Sequence, residues 1–209
     1  MSRDPESAAA REALLAAVRT AIAVPDGETP VILIDGPSGA GKSTLADLLV
    51  AEWPGPAAPT LVRMDDLYPG WDGLDAASEA VAAELLEPLA RTGEGRWRRW
   101  DWADDRPAEW HPVVGPAPVI VEGCGTLSRV GVAHARLAIW ADADDALRKS
   151  RALARDGETF AVHWEQWQGE FERYVAREHP RDNATLRVDV TAWPLEGPRE
   201  RHDGTTVVV

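Results

Sequence analysis

The sequence predicts an α/β fold, a mostly parallel sheet with helices on both faces, and three observations carry that expectation. Short apolar runs of strand length alternate with longer segments whose apolar residues recur at helical spacing. One such run, Val31-Ile32-Leu33-Ile34, leads into a glycine-rich turn at residues 36–43 and then into a helical pattern from Leu45 to Val50. At 209 residues the chain sits near the upper end of one compact domain and is long enough for a three-layer core. A single domain over 1–209 with its core at 31–190 is therefore expected, and no internal repeat is visible.

Ser7 to Val24 places Leu14, Leu15, Val18 and Ile22 at helical spacing, and Pro25-Asp26-Gly27 stops that helix. A breaker-rich stretch from Trp53 to Pro59 separates the 45–50 helix from a second strand, Thr60 to Met64. Asp75 to Arg91 forms the next helix, with Val81, Leu85, Leu86 and Leu89 on one side. Val119-Ile120-Val121, entered through Pro116 and Pro118, reads as a buried strand, and Leu137 to Trp140 as another. Helices follow at Ala143 to Arg155 and Phe160 to Glu178, then a strand at Leu186 to Val190. The stretch from Pro194 to Gly204 is polar and rich in breakers, and the pattern of Thr205 to Val209 leaves edge pairing open.

The turn reads Gly36-Pro37-Ser38-Gly39-Ala40-Gly41-Lys42-Ser43, a complete G-x-x-x-x-G-K-S/T phosphate-binding loop followed by Thr44. Four fixed positions match by chance in roughly one chain in a hundred of this length, and the flanking strand and helix lower that further. Glycines let the backbone turn its N–H groups toward phosphate oxygens, and the helix N-terminus adds partial positive charge at the same point. The expected fold is thus that of a P-loop NTPase. Gly36, Ser38, Gly39, Ala40, Gly41, Lys42, Ser43 and Thr44 form the expected nucleoside-triphosphate site. Lys42 reaches the terminal phosphates, and the Ser43 hydroxyl serves Mg²⁺.

The charge balance of 22 basic and 35 acidic residues gives −13, which argues against nucleic acid or an anionic membrane as the main partner. One cysteine, Cys124, cannot form an internal disulfide. The N-terminus lacks a signal-peptide pattern, and no apolar run approaches the roughly 18 residues of a membrane span. The expectation is a soluble, cytoplasmic protein without nucleic acid or membrane partners; a homodimer is compatible with it.

The loop alone does not separate kinases from other P-loop proteins. A GTPase would need an Asn-Lys-x-Asp guanine reader, yet the only asparagine is Asn183, followed by Ala184. A transporter ATPase would need a Leu-Ser-Gly-Gly-Gln signature, which is missing. Small P-loop kinases remain the favoured class. The order Ile34 to Thr44, then Met64-Asp65-Asp66-Leu67-Tyr68, then Trp100-Asp101-Trp102, then Val121-Glu122-Gly123 resembles the uridine kinase family, whose relatives include pantothenate kinase and phosphoribulokinase. The resemblance spans about residues 31 to 190. It implies an ATP- and Mg²⁺-dependent kinase acting on a small-molecule hydroxyl, with a uridine- or cytidine-like nucleoside favoured. A vitamin precursor, a sugar or an antibiotic is the alternative acceptor, and a nucleotide-dependent regulatory protein is the alternative class.

The same resemblance implies Asp65 as base toward the accepting hydroxyl, with Asp66 its rival, and Glu122 on the metal side. A carboxylate beside the nucleophile suits a reaction that leans on positioning and charge neutralisation. A paired Asp after a strand also serves as a turn cap. Residues 96–110 hold four of the ten tryptophans. Within the 94–112 insertion, Trp100-Asp101-Trp102 matches the family's acceptor-binding segment, whose acid, by the resemblance, grips ribose hydroxyls, so Trp100 and Asp101, together with Tyr68, are the expected acceptor-binding residues; a hairpin whose tryptophans plug the core is the alternative. After the motif this chain has Asp104, Asp105 and Arg106 where the family tends to place a His and an Arg. Arg148, Arg151 and Arg155 share a helix face in a segment resembling the lid, about 148–160, and Arg151 and Arg155 are the expected phosphate-neutralising pair. The alternative is a solvated basic stripe. Trp164, Trp167, Phe171 and Tyr174 follow core spacing, and His163, His179 and Cys124 receive no catalytic assignment.

Overall fold

The computed structural model describes residues 5–191; the segments Pro194 to Gly204 and Thr205 to Val209 lie outside them. Five parallel strands form the central sheet: β1 (Val31–Asp35), β2 (Thr60–Arg63), β5 (Val119–Glu122), β6 (Leu137–Asp142) and β7 (Leu186–Asp189), in the order β2-β5-β1-β6-β7. Two further strands, β3 (Glu94–Asp101) and β4 (Arg106–Val114), make a separate antiparallel hairpin.

The continuous apolar run of each inner strand has a simple cause, since both faces of the sheet are covered. Val31 and Leu33 of β1, Val119 and Val121 of β5, and Ala138 and Trp140 of β6 face one layer. That layer is built from α3 (Leu74–Ala80), a π-helical turn (Val81–Leu86), α4 (Glu87–Thr92) and the C-terminal part of α6 (Asp145–Glu178). Ile32, Ile34, Ile120, Leu137 and Ile139 face the other layer, where α1 (Pro5–Ile22) supplies Leu14 and Val18 and α2 (Lys42–Ala51) supplies Leu45 and Leu49. Each Val, Leu or Ile among these gains roughly 1.5–3 kcal/mol from burial, and truncating a Leu or Ile to Ala costs about 2–5 kcal/mol.

Three local features depart from simple periodicity. The expected 75–91 helix runs from Leu74 to Thr92 but widens into the π turn in its middle. The helices expected at 143–155 and 160–178 meet at Gly157, whose φ of 68° and ψ of −152° break α6; glycine reaches that region without a Cβ penalty. The short helices α5 (Arg129–Val132) and α7 (Pro180–Asn183) fall in stretches to which the apolar spacing assigns no element. Among the described residues no helix is long and apolar enough to cross a membrane.

Candidate active site

Three neighbouring strands deliver the polar residues to one edge. Arg63, at the end of β2, lies beside Glu122, at the end of β5, which lies beside Ile34 of β1. The phosphate loop follows β1 and Asp65 follows β2, so the chemistry gathers at the carboxyl ends of the strands, where open α/β sheets bind ligands.

The loop's shape rests on glycine. Gly36, Gly39 and Gly41 hold φ of 146°, 78° and 80°, and a Cβ on Gly39 would come within 1.9 Å of the Arg148 carbonyl oxygen. α6 thus presses its first turns on the loop, and Arg148 also donates to the Ser38 carbonyl at 3.4 Å and to Gln168 Oε1 at 3.2 Å. Gly41 caps α2 with no side-chain partner for the leading N–H groups, so they stay available to an anion. Lys42 is buried and its Nζ donates to the Pro37 carbonyl at 3.1 Å.

Asp35 braces the loop from beneath. Its carboxylate is fully buried and accepts from the Gly36 N–H (2.7 Å), the Gly125 N–H (3.2 Å), the Leu127 N–H (2.9 Å) and the Tyr174 hydroxyl (2.8 Å). The loop, the segment after β5 and α6 are thereby tied to one side chain. Tyr68 donates to the Cys124 carbonyl at 2.8 Å, and Ser78 to that of Gly125 at 2.6 Å.

Lys42, Ser43, Asp65 and Glu122 line one cleft, and Asp66 does not. Glu122 is buried, and burial followed by the Asp65 charge pushes its carboxyl above the usual range, with Lys42 and Arg63 opposing. Burial and the Asp65 charge push Asp66 up as well. The donor set of Ser43 hydroxyl and carboxylates is hard oxygen, the chemistry that Mg²⁺ prefers over zinc or iron. No group of three or more His, Cys, Asp or Glu side chains gathers into a metal cage among the described residues.

Part of the cleft wall is aromatic. Tyr68, Trp71, Trp102, Phe160 and Trp167 line it. Trp71 lies at the centre, stacked on His163 at 4.5 Å and on Phe160 at 5.6 Å, and tilted against Trp102 at 5.2 Å. The Trp102 indole donates to the Asp65 carbonyl oxygen at 2.9 Å, and that of Trp167 to Ser38 Oγ at 2.9 Å. The wall is therefore fixed both to the acid and to the loop.

The structure brings together Ser38, Gly39, Gly41, Lys42, Ser43, Asp65, Tyr68, Glu122 and Arg155 around this cleft, with Gly36, Ala40 and Thr44 completing the loop and the start of α2. It does not bring in Arg151, whose guanidinium donates to the Val190 carbonyl at 3.4 Å. Nor do Trp100 and Asp101 line it. Asp101 accepts from the Ala103 and Asp104 N–H groups at 3.1 and 3.2 Å and pairs with Arg99 at 3.5 Å, closing the hairpin tip. The Asp104 N–H leads the contacts that hold its carboxyl below the ordinary value. Between Arg98 and Trp100 the pairing register of β3 slips, and beyond that bulge it is Trp102 that reaches the cleft. Asp35, Trp71, Trp102, Phe160 and Trp167 were not legible as site residues. The only sequence signal for Trp102 was its place in the Trp100-Asp101-Trp102 run.

A five-stranded parallel sheet between helical layers, with a complete phosphate loop after its central strand, defines a P-loop α/β nucleotide-binding fold. Solved structures share it. A possible uridine kinase from Bacillus stearothermophilus superposes with a TM-score of 0.62 at 17% identity, over 88% of this chain and 100% of that one. A protein reported as a candidate fructose transport system kinase from Silicibacter sp. TM1040 does so with a TM-score of 0.53 at 16% identity, over 89% and 100%. No protein-family model and no curated protein matches the sequence.

Proposed function

We propose that the chain is a kinase that uses ATP and Mg²⁺ to phosphorylate a hydroxyl of a small molecule, with a nucleoside-like acceptor favoured. The observation that carries this reading is the single cleft in which a phosphate loop, two acids from adjacent strand ends and an aromatic wall meet. The fold neighbours named for uridine and fructose kinases agree with the reaction class.

Lys42 and the N–H groups of Gly39 to Ser43 hold the triphosphate, and Ser43 and Glu122 hold the metal. Mg²⁺, when bound, neutralises phosphate charge as the phosphoryl group moves. Asp65 takes the proton from the acceptor hydroxyl, and only Asp65 of the acidic pair lines the cleft. Arg155 adds positive charge from the lid side. Tyr68, Trp71 and Trp102 give the acceptor flat apolar walls and exclude water from the reacting atoms.

A second acceptor class follows from Asp101. Asp101, the acid that the resemblance matches to ribose binding, is engaged here in the hairpin turn, so the second reading is an acceptor held by its flat or apolar body with no diol contact from Asp101. A vitamin precursor or an antibiotic meets that description; a bare sugar fits the aromatic wall less well. The non-catalytic alternative, a nucleotide-dependent regulator, is distinguished by turnover. With a productive acceptor, Asp65→Asn should lower kcat by roughly 10²-fold while ATP binding stays near wild type. Wild-type kcat in that variant would remove Asp65 as the base.

A further inference from the structure

Arg63 is absent from the cleft lining, yet it ties the elements that carry the metal-side residues. Its Nη1 donates to Glu122 Oε1 at 2.8 Å and its Nη2 to Asp47 Oδ1 at 2.5 Å. Glu122 is its neighbour across the β2–β5 ladder. Asp47 stands on α2 one turn after Ser43, and residues four apart share a helix face. One guanidinium therefore joins the end of β5, which bears Glu122, to the helix that bears Ser43. Among the described residues Oε2 of Glu122 accepts no hydrogen bond, so the fork occupies one carboxylate oxygen and leaves the other.

We infer that Arg63 is a positioning residue for the divalent cation: its two-way fork fixes the Glu122 carboxylate relative to Ser43 and presents Oε2 to the metal. The inference rests on the metal-side assignment of Glu122 made above. A planar guanidinium can satisfy two carboxylates in fixed directions, which a point-charge ammonium does not.

Orientation and plain charge predict different outcomes. For plain charge, Arg63 can be replaced by Lys, which keeps the positive charge beside Glu122, with Mg²⁺ binding as in wild type. As an orienting fork, its removal weakens Mg²⁺ binding, by the roughly 10- to 100-fold typical of groups that hold metal ligands in place.

The test is calorimetric titration of ADP into the protein across a Mg²⁺ series and in EDTA, with no acceptor and no turnover. Arg63→Met and Arg63→Lys should both raise the Mg²⁺ concentration needed for tight ADP binding by roughly 10-fold or more, with metal-free ADP affinity unchanged. Asp47→Asn, on an exposed side chain, should cause a smaller shift in the same direction. Unchanged or tighter Mg²⁺ dependence in folded Arg63→Met, or wild-type behaviour in Arg63→Lys, overturns the inference. Should Arg63→Met fail to fold, Arg63→Lys decides it alone, and wild-type Mg²⁺ dependence there overturns it. Glu122→Gln measured alongside separates the levels: unchanged Mg²⁺ dependence there removes the metal role of Glu122 itself, whereas a loss there with none at Arg63 removes only this inference.

Discussion

Asp35 supports the loop through four donors on one buried carboxylate, and an amide cannot replace it. In Asp35→Asn one oxygen becomes an NH₂ facing two donors, so at least two buried polar groups lose their partners, at about 1–3 kcal/mol each. A loss of about 2 kcal/mol lowers Tm by roughly 4–8 °C for a chain of this size; an unchanged melting curve would refute the bracing role. Cys124 gives a reactivity prediction. Its Sγ is buried, with the Lys42 Nζ at 3.5 Å, and burial pushes the thiol up from 9.0 despite that cation. A thiol with a raised pKa holds less thiolate at neutral pH, so alkylation of the native protein should be slow, quicken as pH rises, and approach the free-thiol rate only on unfolding. Rapid alkylation at pH 7 would contradict it. Lys42 and Ser43 were legible because the loop is a local pattern, and Glu122 because it ends an apolar run. The bracing by Asp35 was not, since its partners Gly125, Leu127 and Tyr174 lie far along the chain and no local rule announces them.

At the scale of elements, the contact between the phosphate loop and α6 depends on a missing side chain. Gly39→Ala would force a Cβ against the Arg148 carbonyl in a left-handed region that costs an L-residue about 1–2 kcal/mol before any clash. ATP affinity should fall at least tenfold, as read by titration; wild-type affinity would mean that the loop tolerates displacement of α6. The hairpin gives a sharper contrast. Trp102→Ala removes an indole hydrogen bond to Asp65 and a ring contact with Trp71, together about 1–3 kcal/mol, so acceptor kcat/KM should fall about tenfold or more. Trp100→Ala should change it far less, because Trp100 lies outside the cleft lining. Equal losses in both would return the acceptor wall to Trp100. The strands and helices were legible from apolar spacing, and Gly157 marked the break in α6. The π turn and the bulge in the β3–β4 ladder, whose extra residue lies on β4, were not, because each inserts one residue's worth of phase that spacing rules read as continuous.

For the whole molecule, the sheet order explains why residues from 35 to 167 meet in one place. β5 inserts between β2 and β1, so the ends carrying Asp65, Glu122 and the loop become neighbours, while the hairpin and α6 cover the edge they share. The alternation of elements foretold the parallel sheet. The aromatic wall was hidden because Trp71, Trp102, Phe160 and Trp167 come from three separate segments and converge only through tertiary packing. The central claim is that this edge carries out acceptor-dependent phosphoryl transfer. Its most direct test follows ADP release from Mg²⁺-ATP across a panel of nucleosides, vitamin precursors, sugars and aromatic alcohols, with wild type and Lys42→Ala side by side. At least one acceptor should raise ADP release in the wild type, with one phosphorylated product per ADP, and Lys42→Ala should fold normally but lose that turnover. ADP release independent of every acceptor, or undiminished in Lys42→Ala, would contradict it.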